Sequence, residues 1–164
     1  MNSSENRTEH LYELLKDFDR AMLITHSGEA HMHARPMAVA ELKPDADAYF
    51  VTRIESPKVA EIGANPNVTL TFQASRRFAS LCGRISLVRD QALVDRLWNE
   101  DWKLWFPQGK SDPAIALLKF EAEHGEYWDT DGVEGLKYVF DALKAYVKGE
   151  MPKSDENQHA KVSL

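Results

Sequence analysis

Apolar and polar residues alternate along most of this 164-residue chain, and helical spacing appears in only a few places. Near the start Leu11, Leu14, Leu15 and Phe18 fall on one helical face, with Asn6 as the expected cap and Glu9 three places on. Ala21 to Thr25 is a short apolar strand, Ser27-Gly28-Glu29 supplies a turn, and Ala30 to Leu42 alternates again, which predicts a hairpin. On its second strand His31, His33, Arg35, Met37 and Val39 share a face. A turn at Lys43 to Asp47 leads into a strand over Tyr49 to Arg53. There Ser56-Pro57 opens a short helix, Asn65-Pro66 stops it, and Val68, Leu70, Phe72 and Ala74 mark the inner side of the next strand. Ser75-Arg76-Arg77 separates that strand from a long one over Phe78 to Arg89, in which Gly83 marks a bulge or a close backbone approach.

The second half is less regular. Asp90 caps a helix with an apolar stripe of Leu93, Val94, Leu97 and Trp98, and aromatic residues continue at Trp102, Trp105 and Phe106 until Pro107. Asp112-Pro113 is expected to start a helical turn. Leu118, Phe120 and Ala122 alternate as a strand, and a turn at His124-Gly125 is expected to precede a last strand around Glu126-Tyr127-Trp128. Leu136, Val139, Phe140, Leu143, Tyr146 and Val147 outline a final amphipathic helix, and the polar segment from Lys153 has too little apolar surface to fold. Short strands joined by tight turns predict a mainly β fold, an antiparallel β-barrel with peripheral helices. It forms a single domain over residues 1–150 with a disordered tail over 151–164.

Composition narrows the function. A formal net charge of −6, with no dense basic block, argues against a nucleic-acid partner. No apolar run reaches bilayer-spanning length and the polar start MNSSENRTEH is unlike a signal peptide, so a soluble cytoplasmic protein is expected. The single cysteine, Cys82, lies among Leu81 and Ile85 and is expected to pack.

Candidate chemistry concentrates around residues 49–74. A hydroxyl at Ser56, an ammonium at Lys58 and the positive end of a helix lie within one turn, which is an arrangement that suits a phosphate group; a solvated lysine after an ordinary Ser-Pro helix start is the plainer alternative. His26, His31 and His33 have the spacing of metal ligands but no paired carboxylate or cysteine, and no metal is assigned. No nucleophile elbow and no Gly-rich dinucleotide loop occur, and no catalytic acid or base stands out. Trp105-Phe106, placed where Pro107 breaks the helix, can cover a neighbouring subunit or stack on a flat ring.

Ala34-Arg35-Pro36-Met37, Phe50-Val51-Thr52-Arg53, Ser56-Pro57-Lys58, Asn65-Pro66 and Gly83-Arg84, in that order and spacing, resemble the general stress protein branch of the pyridoxamine 5′-phosphate oxidase-like flavoproteins. The resemblance runs from about the first helix to Trp128. It implies an FMN-binding split barrel, assembled as a homodimer with two FMN sites at the subunit interface. Arg35, Thr52, Ser56 and Lys58 would hold the flavin and its phosphate, Pro36 and Met37 would lie along the ring, and Arg53 would sit near the ribityl phosphate. Trp105 completes the expected set. The chain departs from the namesake oxidase in having Ser56-Pro57-Lys58 for Ser-Arg-Lys, and in lacking the C-terminal arginine segment that holds the B6 substrate. The function implied is that of a stress-related flavoprotein, acting either as an oxidoreductase with a reduced nicotinamide or another small molecule, or as a flavin-binding, sensing or interaction module without turnover.

Overall fold

A computed structural model describes residues 3–28, 30–130 and 159–164. Its elements in chain order are α1 (Ser3–Leu15), β1 (Arg20–His26), β2 (Met32–Leu42), β3 (Ala48–Arg53), α2 (Pro57–Ala64), β4 (Asn67–Gln73), β5 (Arg77–Val88), α3 (Gln91–Leu97), β6 (Ile115–Asp129) and β7 (His159–Ser163). All strand pairs are antiparallel, in the order β3-β2-β1-β4-β5-β6-β7, and β3 also pairs with β6. Six strands therefore close on themselves, which leaves the barrel proper without a free edge. The mainly β barrel expected from the alternation is the fold observed. None of the helices among the described residues is long and apolar enough to cross a membrane.

β6 does double service. Residues Ile115 to Phe120 pair with β3 to close the barrel, and His124 to Trp128 pair with β7, while β5 runs along the other side of both halves. The bend between the halves is the bulge at Gly83. Cys82 faces His124 and Gly83 faces Ala122, so Glu123 is the extra residue. A Cβ on Gly83 would lie 2.1 Å from the Glu121 carbonyl oxygen, so only glycine permits this approach.

The core holds the inward side of every strand: Leu23, Phe50, Leu70, Phe72, Leu81, Ile85, Leu118, Phe120 and Tyr127 are all nearly or fully buried. α1 lays Leu11, Leu14 and Leu15 against the same core. A smaller core forms beneath α3, from Val94, Trp102, Phe106, Ala114, Ile115 and Leu117.

Several expectations change. α1 starts at Ser3, so Asn6 lies inside the helix. Gly125 makes no turn: it sits mid-strand in β6, where a Cβ would come within 2.8 Å of Leu11 and 3.1 Å of Leu81, and its role is to let α1 lie close to the sheet. The aromatic run does not continue one helix. α3 ends at Leu97, Trp98 is extended, and Asn99 caps a separate 3-10 turn over Glu100–Leu104. The turn before β6 is a 3-10 turn over Gly109–Ser111, with the buried Asp112 accepting from the Ala114 amide. Cys82 is exposed, because strict alternation turns Leu81 and Ile85 inward and Cys82 outward, 3.7 Å from the Thr69 hydroxyl. Within the segment expected to be a disordered tail, residues 159–163 form β7, whose buried Ala160 and Val162 alternate with exposed Lys161 and Ser163. The expected helix around Leu136–Val147 lies outside the described residues.

Candidate functional site

A cleft opens between β2, β3, the start of α2 and the turn after α3. It has a volume of about 560 Å³. That falls within the roughly 300–1,000 Å³ usual for small-molecule sites. Pro36, Met37 and Ala38 of β2 and Val51, Thr52 and Arg53 of β3 line its walls. Trp105 and Phe106 close one side, Glu55, Ser56 and Lys58 form one end, and Arg20 at the start of β1 joins from across β2, where it pairs with Ala38. Three basic side chains, Arg20, Arg53 and Lys58, thus face one acidic one, Glu55, in a chain whose net charge is −6. The local field favours an anion.

Lys58 is the organised cation of this set. Its Nζ donates to the Ser56 hydroxyl at 2.6 Å and to the buried Thr52 hydroxyl at 3.1 Å, and among the described residues it pairs with no carboxylate. Burial lowers its pKa from 10.5, and the nearby positive charge of Arg35 lowers it further, with Glu61 offsetting part of the effect. The Ser56 hydroxyl therefore does not cap a backbone N–H as its position at the head of α2 suggests. It has extended backbone geometry and Pro57 follows it, but the side chain is taken by the ammonium. The result is a charged group, two hydroxyls and a helix start converging at one end of the cleft.

The opposite side is apolar and flat. Trp105 is half exposed, Phe106 is buried, and the Arg53 guanidinium lies over the Phe106 ring at 5.9 Å while donating to the Trp105 carbonyl at 3.0 Å. Arg53 also approaches Glu55 at 3.5 Å. Arg53 thus fixes the aromatic turn to β3. Trp98 packs edge-on against Trp102, 5.7 Å between centroids, and supports the turn from behind.

Seven of the eight residues singled out from the sequence line this cleft: Pro36, Met37, Thr52, Arg53, Ser56, Lys58 and Trp105. Arg35 does not. Its guanidinium donates to Thr25 at 2.5 Å and to Glu61 on α2 at 2.7 Å, and His33 Nδ1 lies 2.6 Å from the other Glu61 oxygen. The Thr25 hydroxyl, the dominant cause, together with His33 and Arg35 holds the Glu61 carboxyl at about 2, well below the usual carboxylate range. His33 is thus engaged with a carboxylate, and among the described residues no group of histidines, cysteines and carboxylates has metal-holding geometry. Arg20, Ala38, Val51, Glu55 and Phe106 were missed by the sequence reading. Phe106 was weighed only with its neighbour Trp105, and Arg20 reaches the cleft through a strand pairing that no local motif announces.

The family model described as pyridoxamine 5′-phosphate oxidase like matches residues 6–153. The chain belongs to the pyridoxamine 5′-phosphate oxidase-like family. Among solved structures, the general stress FMN/FAD binding protein from Xanthomonas citri is 30% identical, with 79% of this chain and 89% of that chain covered and a TM-score of 0.62. The general stress protein 26 from Bacillus anthracis str. Sterne is 24% identical over 72% of this chain and 93% of that one, at a TM-score of 0.62. A protein assigned as general stress protein 26 from Jannaschia sp. CCS1 covers 97% of this chain and 99% of its own at 23% identity and a TM-score of 0.75. These relatives place this oxidase-like chain in the general stress protein branch. No curated protein matches it.

Proposed function

We propose that the cleft binds FMN, with the phosphate on Lys58, Ser56 and Thr52, the ring system along Pro36 and Met37, and Trp105 against a ring face. The observation that carries this reading is the half-buried ammonium of Lys58, held by two hydroxyls and no carboxylate at the head of α2, which leaves its charge available to an incoming anion. The FMN/FAD binding of the Xanthomonas citri relative supports a flavin as the ligand. The apolar walls fit a flat ring and the cationic end fits its phosphate, so one ligand with both parts accounts for the whole cleft.

A bound flavin supplies the redox chemistry. The protein's own residues hold and orient it: Thr52 and Ser56 keep the Lys58 ammonium aimed, Arg53 fixes the aromatic turn, and Met37, Phe106 and Val51 exclude water. The reaction we propose is oxidoreduction of a small molecule, with a reduced nicotinamide as a candidate donor. A binding or sensing module without turnover is the second reading, and one feature favours it: among the described residues the ionisable side chains of the cleft are Arg20, Arg53, Lys58 and Glu55, with no histidine. Oxidation of pyridoxamine 5′-phosphate itself is not part of the proposal.

The protein is further proposed to work as a cytoplasmic homodimer. The outward side of β2, β1, β4 and β5 presents Ala34, Pro36, Met22, Thr71 and Cys82, with Arg20 and Arg84 on the same side, a face continuous with the β2 wall of the cleft. A second copy on that face would cover it and wall the cleft. Purified protein titrated with FMN should show saturable quenching of flavin fluorescence, and light scattering should give twice the chain mass. No quenching at micromolar protein would overturn the flavin reading, and a monomer with flavin bound would overturn the dimer. Bleaching of the bound flavin by a reduced nicotinamide, followed by reoxidation in air, separates oxidoreductase from binding module.

A further inference from the structure

Arg20 lines the cleft, and among the described residues nothing in the fold uses its charge. The other two cations are engaged: Lys58 is held by the Ser56 and Thr52 hydroxyls, and Arg53 donates to the Trp105 carbonyl with Glu55 nearby. Arg20 opens β1, is exposed, and among the described residues has no hydrogen-bond or ion-pair partner. Strand register explains how it reaches the cleft. It stands opposite Ala38 on β2, and residues opposite each other on antiparallel strands share a face. Ala38 and its outward neighbour Pro36 are short and exposed, so β2 does not screen the guanidinium from the cleft.

Arg20 and Lys58 also lie on opposite sides of the floor. Lys58 reaches Thr52 on β3, Arg20 stands on β1, and β2 runs between these strands. At a spacing of ~4.8 Å per strand, β1 and β3 are about 10 Å apart. With the FMN phosphate at the Lys58 end, Arg20 is left at the other margin of the same floor. A guanidinium stays charged at any physiological pH, and its planar fork of N–H donors matches a carboxylate or a phosphate in bidentate fashion. On an open surface such a group is simply solvated. Beside the apolar wall of a concave site, a ligand that displaces its water strengthens the pairing.

Resting on the flavin reading of that cleft, we infer that Arg20 is a second anion subsite, which recognises a carboxylate or phosphate group on the small molecule that meets the flavin. The substrate class is then anionic. Its charge anchors at the β1 margin, and Arg20 selects the substrate without contacting the flavin phosphate, so its loss spares FMN.

The test uses the FMN-loaded protein, wild type and Arg20→Gln, titrated calorimetrically with benzoate, phenyl phosphate and benzamide. The first two carry the candidate anions on a flat ring, and benzamide is their uncharged counterpart. At least one anion should bind the wild type about tenfold or more tightly than benzamide, and the tighter of the two names the group recognised. In Arg20→Gln that anion should fall to within about threefold of benzamide, while the affinity for FMN itself stays within about threefold of wild type, which also shows that the variant is folded. Equal binding of all three probes to the wild type would overturn the inference, as would an anion preference that survives in Arg20→Gln. A loss of FMN affinity of about tenfold or more in Arg20→Gln would make Arg20 a flavin contact and overturn it too. A wild type that binds no FMN sinks the flavin reading together with this inference, whereas FMN binding without an anion preference sinks the inference alone.

Discussion

Replacing Lys58 with alanine removes the side-chain cation that the fold orients on the proposed phosphate end of the cleft. A charge-assisted hydrogen bond is worth about 1.5–3 kcal/mol, or about ten- to hundred-fold in affinity. The upper half of that range applies here, since the Ser56 and Thr52 hydroxyls already fix the ammonium and little side-chain entropy is left to lose on binding. Riboflavin has the same ring and no phosphate, so its affinity should change by less than about threefold, a difference of roughly 0.65 kcal/mol. The protonation state gives a second handle. Burial and Arg35 lower the Lys58 pKa below 10.5 in the free protein, and a bound dianion favours the charged form and raises it again. FMN binding should therefore take up a proton when Lys58 is partly neutral, and the FMN to riboflavin ratio should fall as pH rises through the lowered pKa; taking the ratio cancels any ionisation of the ring. The same lowered pKa means that folding works against the charge of Lys58, so Lys58→Met should leave the ligand-free protein as stable as wild type or slightly more so while FMN binding collapses. Fluorescence titration and thermal unfolding read the two effects. Equal losses for FMN and riboflavin, or a large drop in melting temperature without ligand, would make Lys58 a structural residue and refute the assignment.

Three further outcomes follow from other parts of the fold. Gly83→Ala should destabilise the protein by about 2 kcal/mol or more in urea unfolding, because its Cβ would lie 2.1 Å from the Glu121 carbonyl oxygen and neither strand of the bulge can retreat cheaply; a change below ~0.5 kcal/mol would show that the bulge is pliable. Deleting residues 159–164 should lower the melting temperature by several degrees, since it exposes the β6 edge, removes the buried Ala160 and Val162 from the core and takes away the ring of His159 stacked at 5.1 Å on Trp128; an unchanged melting temperature would mean that β7 adds no stability. Glu61 is held at about 2 against an ordinary 4.5, so its contribution to stability is complete above about 4.5 and is lost as pH falls toward about 2. Glu61→Gln should flatten that part of the stability curve in unfolding measured between pH 5 and 2.5, and an unaltered slope would count against the network.

Much of this was legible because strand alternation is a local signal. Val68, Leu70 and Phe72 alternate and are buried as their spacing requires, Asp90 caps α3 through the Leu93 amide, and Gly83 marks the bulge. What was misread depended on distant partners. Gly125 resembles a turn glycine until α1 is packed over it, and the tail looks too polar to fold until β6 offers it an edge, after which two inward side chains suffice. The aromatic run shows helical spacing, but Asn99 restarts the chain with a side-chain cap on Asp101, and so Trp105 projects into the cleft while Trp102 and Phe106 turn into the small core.

Arg35 shows how distant partners set the direction of a side chain. Its place on β2 beside Pro36 and Met37, close to Lys58, follows from the sequence, and position alone makes it a natural phosphate contact. The direction of its side chain is decided by Glu61, twenty-six residues further on and one helix away, and by a hydroxyl at Thr25 on the neighbouring strand. Glu61 is held by Thr25 and His33 as well as by Arg35, so these side chains form one network rather than a single pair. Lys58, whose partners are hydroxyls and which no carboxylate contacts among the described residues, is the cation of the cleft that we propose meets the FMN phosphate.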